Sequence, residues 1–228
     1  MRPDERPLPA AVLWDMDGTL VDTEPYWIDC EYALVARHGG TWTDEHAHAL
    51  VGSDLLSSAR DIRRHGGVDL PATAIVDQLL AGVVERVGRH VPWRPGAREL
   101  LAELRRRGVP CALVTMSYRV LADAVVRGLP EGSFAAVVAG DDVTHGKPHP
   151  EPYLTAAARL GVLPADCVAI EDSPTGLASA VAAGVPALGV THLVPLQASA
   201  GRHLVPTLDG ITPGELGRLG RLLRPLAG

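Results

Sequence analysis

The chain has 228 residues, of which 46% are hydrophobic and 21% are charged, and its formal net charge is −6. This length and apolar content are sufficient for one large domain, or for a core with a smaller insertion, and they argue against a disordered chain. Acidic and basic residues are spread along the sequence without a basic stripe, so neither nucleic acid nor membrane is an expected partner. We expect a small-molecule partner.

The first predicted strand ends in two acidic residues. The N-terminal segment MRPDERPLPA lacks the apolar stretch of a secretory signal, which favours a cytoplasmic protein. The run AAVLWD then predicts a buried strand that ends at Asp15, and Asp17 follows two residues later. In extended backbone both carboxylates face the same side. Gly18 permits a sharp turn whose backbone amides can approach an anion, although a solvated Asp-Gly turn is the simpler alternative.

Residues 23–92 form a segment without a convincing strand. Helices are predicted near 24–38, 43–50, 53–65 and 71–90. Proline-containing stretches, DTEPYW and VPWRPGA, flank the segment. We therefore predict an all-helical insertion between residues 1–22 and 93–228, which form one α/β core.

From residue 93 onward, helices alternate with apolar strands. The strands are predicted at PCALVTM, FAAVVAG, CVAIED and VPALGV. This alternation predicts a doubly wound, mostly parallel sheet, whose ligands bind beyond the carboxyl ends of the strands. Residues 173–201 contain no Asp, Glu, Lys or Arg, but Gly184, Pro186 and Pro195 interrupt them, so we reject a membrane span.

The polar residues that stand out follow the ends of these strands. Thr115 ends PCALVTM, and Glu171 and Asp172 end CVAIED. Lys147 is the single lysine beside twenty arginines and lies in the loop GDDVTHGKPHP. Either chance left this single lysine, or its position needs a compact ammonium that a planar guanidinium cannot replace. We expect these residues to meet Asp15 in one crevice.

The acids in this crevice require a cation. At ~4 Å and an effective dielectric constant of about 20, each pair of carboxylates repels by about 4 kcal/mol. The hard oxygen ligands of Asp15 and Asp172 suit Mg²⁺ better than zinc. Lys147 and the hydroxyl of Thr115 would bind the remaining oxygens of a phosphate. Together these groups are what phosphoryl transfer requires.

Four parts of the chain occur in the order of four known motifs. They are DMDGTLVD, Thr115 after its apolar strand, GKPHPEPY and EDSPTG. They resemble the motifs of the haloacid dehalogenase (HAD) superfamily. The insertion resembles the helical cap of the subgroup that includes β-phosphoglucomutase and many small-metabolite phosphatases. The resemblance implies a Rossmann-like catalytic core, residues 1–22 and 93–228, with a helical cap domain at 23–92.

The resemblance also implies catalytic roles. Asp15 would be the nucleophile that forms an aspartyl-phosphate. Asp17 would be the general acid that protonates the leaving group and then activates water. Thr115 and Lys147 would hold the phosphoryl oxygens.

The same resemblance implies a Mg²⁺ site. Asp15, Asp172 and the backbone carbonyl of Asp17 would be its ligands. Glu171 would orient a metal-bound water without binding the ion directly.

Five further residues are candidate contacts for phosphate or substrate. The resemblance implies that Gly18 and Thr19 contribute backbone donors. Ser117 and Arg119 follow Thr115 closely, and Arg119 is either an extra phosphate contact or a charge on a helix surface. Trp27, in the linker that enters the insertion, is either a packing residue or part of the substrate pocket.

Differences between this sequence and individual family members distinguish among the reactions that the family catalyses. Dehalogenases lack the acid at the position of Asp17, and phosphonatases use a cap lysine, whereas residues 23–92 contain none. β-Phosphoglucomutase has a histidine where this chain has Trp27, and an arginine after the cap glycine where this chain has Leu55 after Gly52. These departures favour hydrolysis over a mutase reaction.

The resemblance therefore predicts a Mg²⁺-dependent phosphatase, a phosphoric monoester hydrolase, acting on a small phosphorylated metabolite such as a sugar phosphate. A phosphosugar mutase and a catalytically inactive phosphometabolite-binding protein remain the alternatives. The expected assembly is a monomer or a homodimer.

Overall fold

The computed structural model of the chain describes residues 7–50 and 54–224. Most of the segment MRPDERPLPA and Gly52 lie outside the described residues. The chain divides into two compact units, Met1–Asp22 with Pro92–Gly228, and Thr23–Val91. The second predicted boundary, between residues 92 and 93, differs from this division by one residue.

Six strands form one parallel sheet in the larger unit. They are β1 (Ala11–Trp14), β2 (Cys111–Val114), β3 (Ala136–Val138), β4 (Cys167–Glu171), β5 (Ala187–Val190) and β6 (Arg202–Val205). Their hydrogen-bonded order is β3-β2-β1-β4-β5-β6, and every neighbouring pair is parallel. The strand order reverses between β1 and β4, where ligands bind in doubly wound sheets. The predicted fold class is confirmed.

Five helices of the described chain pack with this sheet. They are α5 (Ala97–Arg106), α6 (Arg119–Arg127), α7 (Glu151–Leu160), α8 (Pro174–Ala182) and α9 (Pro213–Leu223). Every residue of β1, β2, β4 and β5 is buried, so both faces of the sheet are covered. The apolar runs AVLW, CALV and CVAI supply this core, since a strand buried on both faces cannot alternate with polar residues. Burial of each large apolar side chain contributes about 1.5–3 kcal/mol.

The sequence patterns did not predict the last two elements, β6 and α9. β6 reads RHLV and lies at the edge of the sheet, so it lacks the apolar run of a central strand. Three glycines lower the helix propensity of PGELGRLGRLL. Thr212 and Glu215 form a capping box at the start of α9, and this spacing of Thr and Glu was the sequence signal available for the helix. A Cβ at Gly217 would lie 2.0 Å from the carbonyl oxygen of Pro7, so this glycine permits close packing against the N-terminal segment.

The described part of the smaller unit contains helices and connecting loops but no strand. It contains α1 (Glu24–Arg37), α2 (Asp44–Leu50), α3 (Leu55–His65) and α4 (Ala72–Arg89), close to the predicted segments. α1 and α3 both pack against α4 through apolar residues at helical spacing. Within the described residues, no helix combines the length and the apolar character needed to cross a membrane.

Candidate active site

The side chains that follow β1 and β4 approach each other where the strand order reverses. Asp15 comes directly after β1, and its backbone N–H donates to the carbonyl oxygen of Ile170 in β4 (2.9 Å). Glu171 ends β4 and Asp172 follows it. One carboxylate oxygen from each of Asp15, Glu171 and Asp172 lies within 4.8 Å of the others. Residues 15 and 172 are therefore neighbours although 156 positions separate them.

Lys147 enters this acidic group from the loop before α7. Its Nζ donates to Asp15 Oδ1 (2.6 Å), to Glu171 Oε1 (2.6 Å) and to the carbonyl oxygen of Val114 (2.8 Å). These contacts use all three N–H donors of the ammonium. Burial disfavours the charged form, but the charges of Asp15 and Glu171 outweigh it and raise the pKa of Lys147. A point charge thus serves three acceptors that a planar guanidinium would not match.

The acids carry more negative charge than one lysine neutralises. Burial and the neighbouring Glu171 charge raise the pKa of Asp15 well above its ordinary value. Burial, with the charge of Glu171, likewise raises the pKa of Asp172 to about 7. Asp15 Oδ2 is buried and has no hydrogen-bond partner among the described residues. An additional cation beside Asp15 and Asp172 would remove this electrostatic cost.

The loop after Asp15 depends on Gly18. The N–H of Gly18 donates to the carbonyl oxygen of Val21 (2.7 Å), and its φ of +87° is unfavourable for residues with a side chain. A Cβ at this position would lie 2.1 Å from Asp172 Oδ2. Thr19 Oγ1 donates to Asp172 Oδ1 (3.1 Å). The glycine therefore provides both the turn and the space that Asp172 occupies.

Asp17 is held by two hydroxyl groups. Ser117 Oγ donates to Asp17 Oδ2 at 2.7 Å, and Thr115 Oγ1 donates to the same oxygen at 3.3 Å. The N–H of Ser117 in turn donates to Thr115 Oγ1 (3.0 Å). These contacts fix the carboxylate proposed to move protons. The phosphate contacts predicted for Thr115 and Ser117 stay predictions.

Glu171 is fully buried and both of its oxygens accept hydrogen bonds. Oε1 accepts from Lys147 and from the hydroxyl of Tyr153 (2.8 Å), and Oε2 accepts from the hydroxyl of Ser173 (3.0 Å). The sequence motifs alone assigned no role to Tyr153 or Ser173, although both lie within them. A Cβ at Gly176 would lie 1.8 Å from Glu171 Oε1, so this glycine makes room for the carboxylate.

Arg119, a predicted contact residue of the larger unit, does not join this group in the described structure. The guanidinium of Arg119 donates to the carbonyl oxygen of Val137 (2.9 Å) and to the Asp142 carboxylate. These contacts give Arg119 the structural role that was one of its two alternatives. Trp27 is half-buried in α1 of the helical unit. Phosphate binding by Arg119 and substrate binding by Trp27 stay predictions.

The residues present fit a Mg²⁺ ion. The buried, unpartnered Oδ2 of Asp15 and the carboxylate of Asp172, for which Gly18 makes room, offer hard oxygen ligands. Glu171 already uses both oxygens for its protein contacts, so Asp15 and Asp172 are the candidates for direct coordination. Imidazole and thiolate are absent from this acidic group, which disfavours zinc.

Comparison with known proteins identifies the family of this chain. The model of haloacid dehalogenase-like hydrolases matches residues 9–184. Hexitol phosphatase A of Escherichia coli is 32% identical over 78% of this chain and 81% of its own length. The bifunctional riboflavin kinase/FMN phosphatase of Arabidopsis thaliana is 31% identical over 90% of this chain, which spans only 53% of that protein.

A solved structure agrees with these matches. The crystal structure of CbbY from Rhodobacter sphaeroides in complex with phosphate has a TM-score of 0.78 and 28% identity, and the match covers 89% of this chain and 96% of CbbY. The chain belongs to the haloacid dehalogenase-like hydrolases. The predicted family, and with it the expectation of a hydrolase, is confirmed.

Proposed function

We propose that this protein is a Mg²⁺-dependent phosphatase that hydrolyses a small phosphorylated metabolite of the sugar or polyol type through an aspartyl-phosphate. The observation that carries the proposal is the buried contact between Lys147 Nζ and Asp15 Oδ1, beside the unpartnered Oδ2 of the same carboxylate. This arrangement places a fixed positive charge beside the carboxylate that would attack phosphorus. The names of the relatives, such as hexitol phosphatase A, support the reaction class and the substrate class.

The first step uses Asp15 and Asp17. An oxygen of Asp15 attacks phosphorus and the bond to the leaving-group oxygen breaks, while Asp17 gives that oxygen a proton. The positive charge of Lys147 and the backbone N–H predicted at Thr19 stabilise the charge that develops on the phosphoryl oxygens, whereas the predicted donor of Gly18 already donates to Val21. The hydroxyls of Ser117 and Thr115 hold the Asp17 carboxyl in place for this transfer.

The second step regenerates the enzyme. Asp17, now ionised, removes a proton from water, whose oxygen attacks phosphorus and releases inorganic phosphate and the Asp15 carboxylate. When bound, Mg²⁺ neutralises negative charge on the phosphoryl group and the surrounding carboxylates. Asp15 and Asp172 would hold the ion.

A panel of phosphate esters tests the proposal. The protein is incubated, in Mg²⁺ or in chelator, with hexitol phosphates, fructose 1-phosphate, glucose 1-phosphate and FMN. The phosphate released is then measured. We expect release in Mg²⁺ that is lost with chelator and in the Asp15→Asn variant. Equal release from the native protein and from Asp15→Asn would contradict the proposal and leave a binding protein without turnover.

Phosphorus NMR of the same reactions separates hydrolysis from the mutase alternative. A phosphatase produces inorganic phosphate in proportion to the substrate lost. Conversion of one sugar phosphate to an isomer, dependent on a sugar bisphosphate and without phosphate release, would identify a mutase instead.

A further inference from the structure

A second group of potential metal ligands lies on the loop that carries Lys147. One nitrogen from each of His145 and His149 and one carboxylate oxygen of Glu151 lie within 4.8 Å of one another. His145 Nδ1 is 2.9 Å from Glu151 Oε2, and His149 Nδ1 is 4.0 Å from the same oxygen. These side chains are distinct from the acidic group around Asp15.

The Glu151 carboxylate is already fixed in position. The N–H of Thr144 donates to Oε1 (2.8 Å), and the N–H of His145 donates to Oε2 (3.0 Å). The hydrogen bonds from Thr144 and His145 lower the pKa of Glu151, so the carboxylate is ionised at neutral pH. Since the side chain is ordered before any ligand binds, little further conformational entropy is lost on binding.

The two imidazoles lie beside this carboxylate and face solvent. Their ring centroids are 4.6 Å apart with an angle of 34° between the planes. The side chains of His145 and His149 are 62% and 50% exposed. A cation can therefore reach the ligand atoms directly, and water can occupy the remaining coordination positions.

We propose that His145, His149 and Glu151 form a binding site for Zn²⁺. Two imidazoles and one carboxylate are a ligand set that zinc uses where one coordination position stays open to water. Mg²⁺ prefers an all-oxygen set, so the two metal sites of the molecule would select different ions. All three cysteines are buried, so exposed thiolates do not compete for the zinc.

Zinc binding requires a rearrangement of the two imidazoles. Zinc bonds of about 2.0–2.2 Å place tetrahedral ligand atoms roughly 3.3–3.5 Å apart. The separation of His145 Nδ1 from Glu151 Oε2 is shorter than this and that of His149 Nδ1 is longer. His149 Nδ1 accepts a hydrogen bond from the backbone N–H of Glu151 (3.2 Å), so zinc binding through this atom would replace that hydrogen bond and requires the exposed imidazole to rotate. The proposal is independent of the phosphatase function, because no step of that reaction uses these residues.

Titration of the full chain with Zn²⁺ against a chromophoric chelator, in saturating Mg²⁺ at pH 7.5, tests the site. The native protein is compared with His145→Ala, His149→Ala and the control His203→Ala, which removes an exposed histidine elsewhere in the larger unit. We expect each loop variant to lose one equivalent of bound Zn²⁺, or to bind it at least tenfold more weakly, while His203→Ala binds like the native protein.

Two further measurements keep the result interpretable. His145→Gln retains a polar side chain of similar size without an imidazole, and circular dichroism establishes that each variant is folded. Absorption of bound Co²⁺ in the visible range reports the ligand set directly, and we expect it to change in the loop variants. Identical Zn²⁺ stoichiometry and affinity in the native protein and all loop variants would overturn the proposal.

Discussion

Each of the two units buries a carboxylate, and the two carboxylates differ in their partners. In the helical unit, Glu31 accepts a hydrogen bond from the neutral indole N–H of Trp42 (3.1 Å). In the core, Asp15 accepts one from the ammonium of Lys147 (2.6 Å). Burial raises the pKa of both acids. Glu31 can lower the cost of its burial by holding a proton, whereas Asp15 has a cationic partner, as its proposed role of nucleophile requires.

Burial alone therefore does not mark a catalytic acid. What distinguishes Asp15 is a cluster of further charges: Lys147, Glu171 and Asp172 all lie beside it. A buried ion pair adds little stability by itself, because desolvation offsets the attraction. The charged cluster around Asp15 is therefore better explained by a role in catalysis than by a contribution to stability. Substitutions in either unit can test this distinction.

The largest effect is expected from Lys147→Ala. This change leaves two buried carboxylates without their ammonium, so we expect the free energy of unfolding to fall by about 3–5 kcal/mol. Phosphate release should fall by at least roughly 100-fold, because the fixed charge beside the phosphoryl group is lost. Denaturant unfolding and initial-rate assays measure the two effects.

Lys147→Arg is the matched control for charge. It retains a cation, but a planar guanidinium does not match the three acceptors of the ammonium. We expect it to recover part of the stability and little of the activity. Full activity in either variant would contradict the role given to Lys147.

Gly18→Ala should have the next largest effect. The φ of +87° costs about 1–3 kcal/mol with a side chain, and the new Cβ would also displace the Asp172 carboxylate. We expect phosphate release to fall more than tenfold. Gly161→Ala is the matched control, because Gly161 has a φ of +67° but a Cβ added there would meet no atom within 4 Å. It should lose stability and keep its activity.

Tyr153→Phe removes one hydrogen bond to the Glu171 carboxylate. The loss should be about 1.5–3 kcal/mol in the free energy of unfolding, the usual range for a hydrogen bond to a charged group. If Tyr153 positions Glu171, the concentration of Mg²⁺ that gives half-maximal activity should rise as well. A lower stability with unchanged Mg²⁺ dependence would mean that Tyr153 only stabilises the core.

The smallest effect is expected from Glu31→Gln, and it depends on pH. Burial raises the pKa of Glu31 to about 7, while the unfolded chain keeps the ordinary value near 4.5. The unfolded state therefore loses its proton first, and the contribution of Glu31 to stability falls as pH rises from about 4.5 to about 7. Glutamine keeps an acceptor for Trp42 without this titration.

We expect Glu31→Gln to be more stable than the native protein above pH 7, by about 1–2 kcal/mol after allowance for solvent screening. Below pH 4.5 the two proteins should be similar. Denaturant unfolding over this pH range measures the difference. An advantage of the native protein at pH 8 would show that Glu31 is stabilised as an anion, like Asp15.

The sequence contained most of the information needed for the core site. Apolar runs predict β1, β2 and β4, and the parallel arrangement then brings their carboxyl ends together, so Asp15, Lys147 and Asp172 could be grouped in advance. The helical unit was predictable from periodicity because its buried positions recur at helical spacing. β6 and α9 were not, since a polar edge strand and a glycine-rich helix lack those patterns.

The side-chain partners were harder to predict than the elements. Arg119 lies four residues after Thr115, yet its guanidinium contacts Asp142 and the carbonyl oxygen of Val137 in β3. Ser117 donates to Asp17, which sequence spacing does not reveal. Such contacts depend on the relative rotation of neighbouring elements and on side-chain rotamers, which short motifs do not encode.

The residue that receives the phosphoryl group can be identified by mass spectrometry. The protein is mixed with an accepted phosphate ester in Mg²⁺, quenched in acid within the first turnover and digested. Asp17→Asn is treated in parallel with an aryl phosphate, whose leaving group needs no proton from Asp17, so that slower hydrolysis should increase the amount of the intermediate. We predict a phosphoryl group on Asp15 in both proteins and none in Asp15→Asn. Phosphate release without phosphorylation of Asp15, or phosphorylation at another residue, would contradict the proposed mechanism.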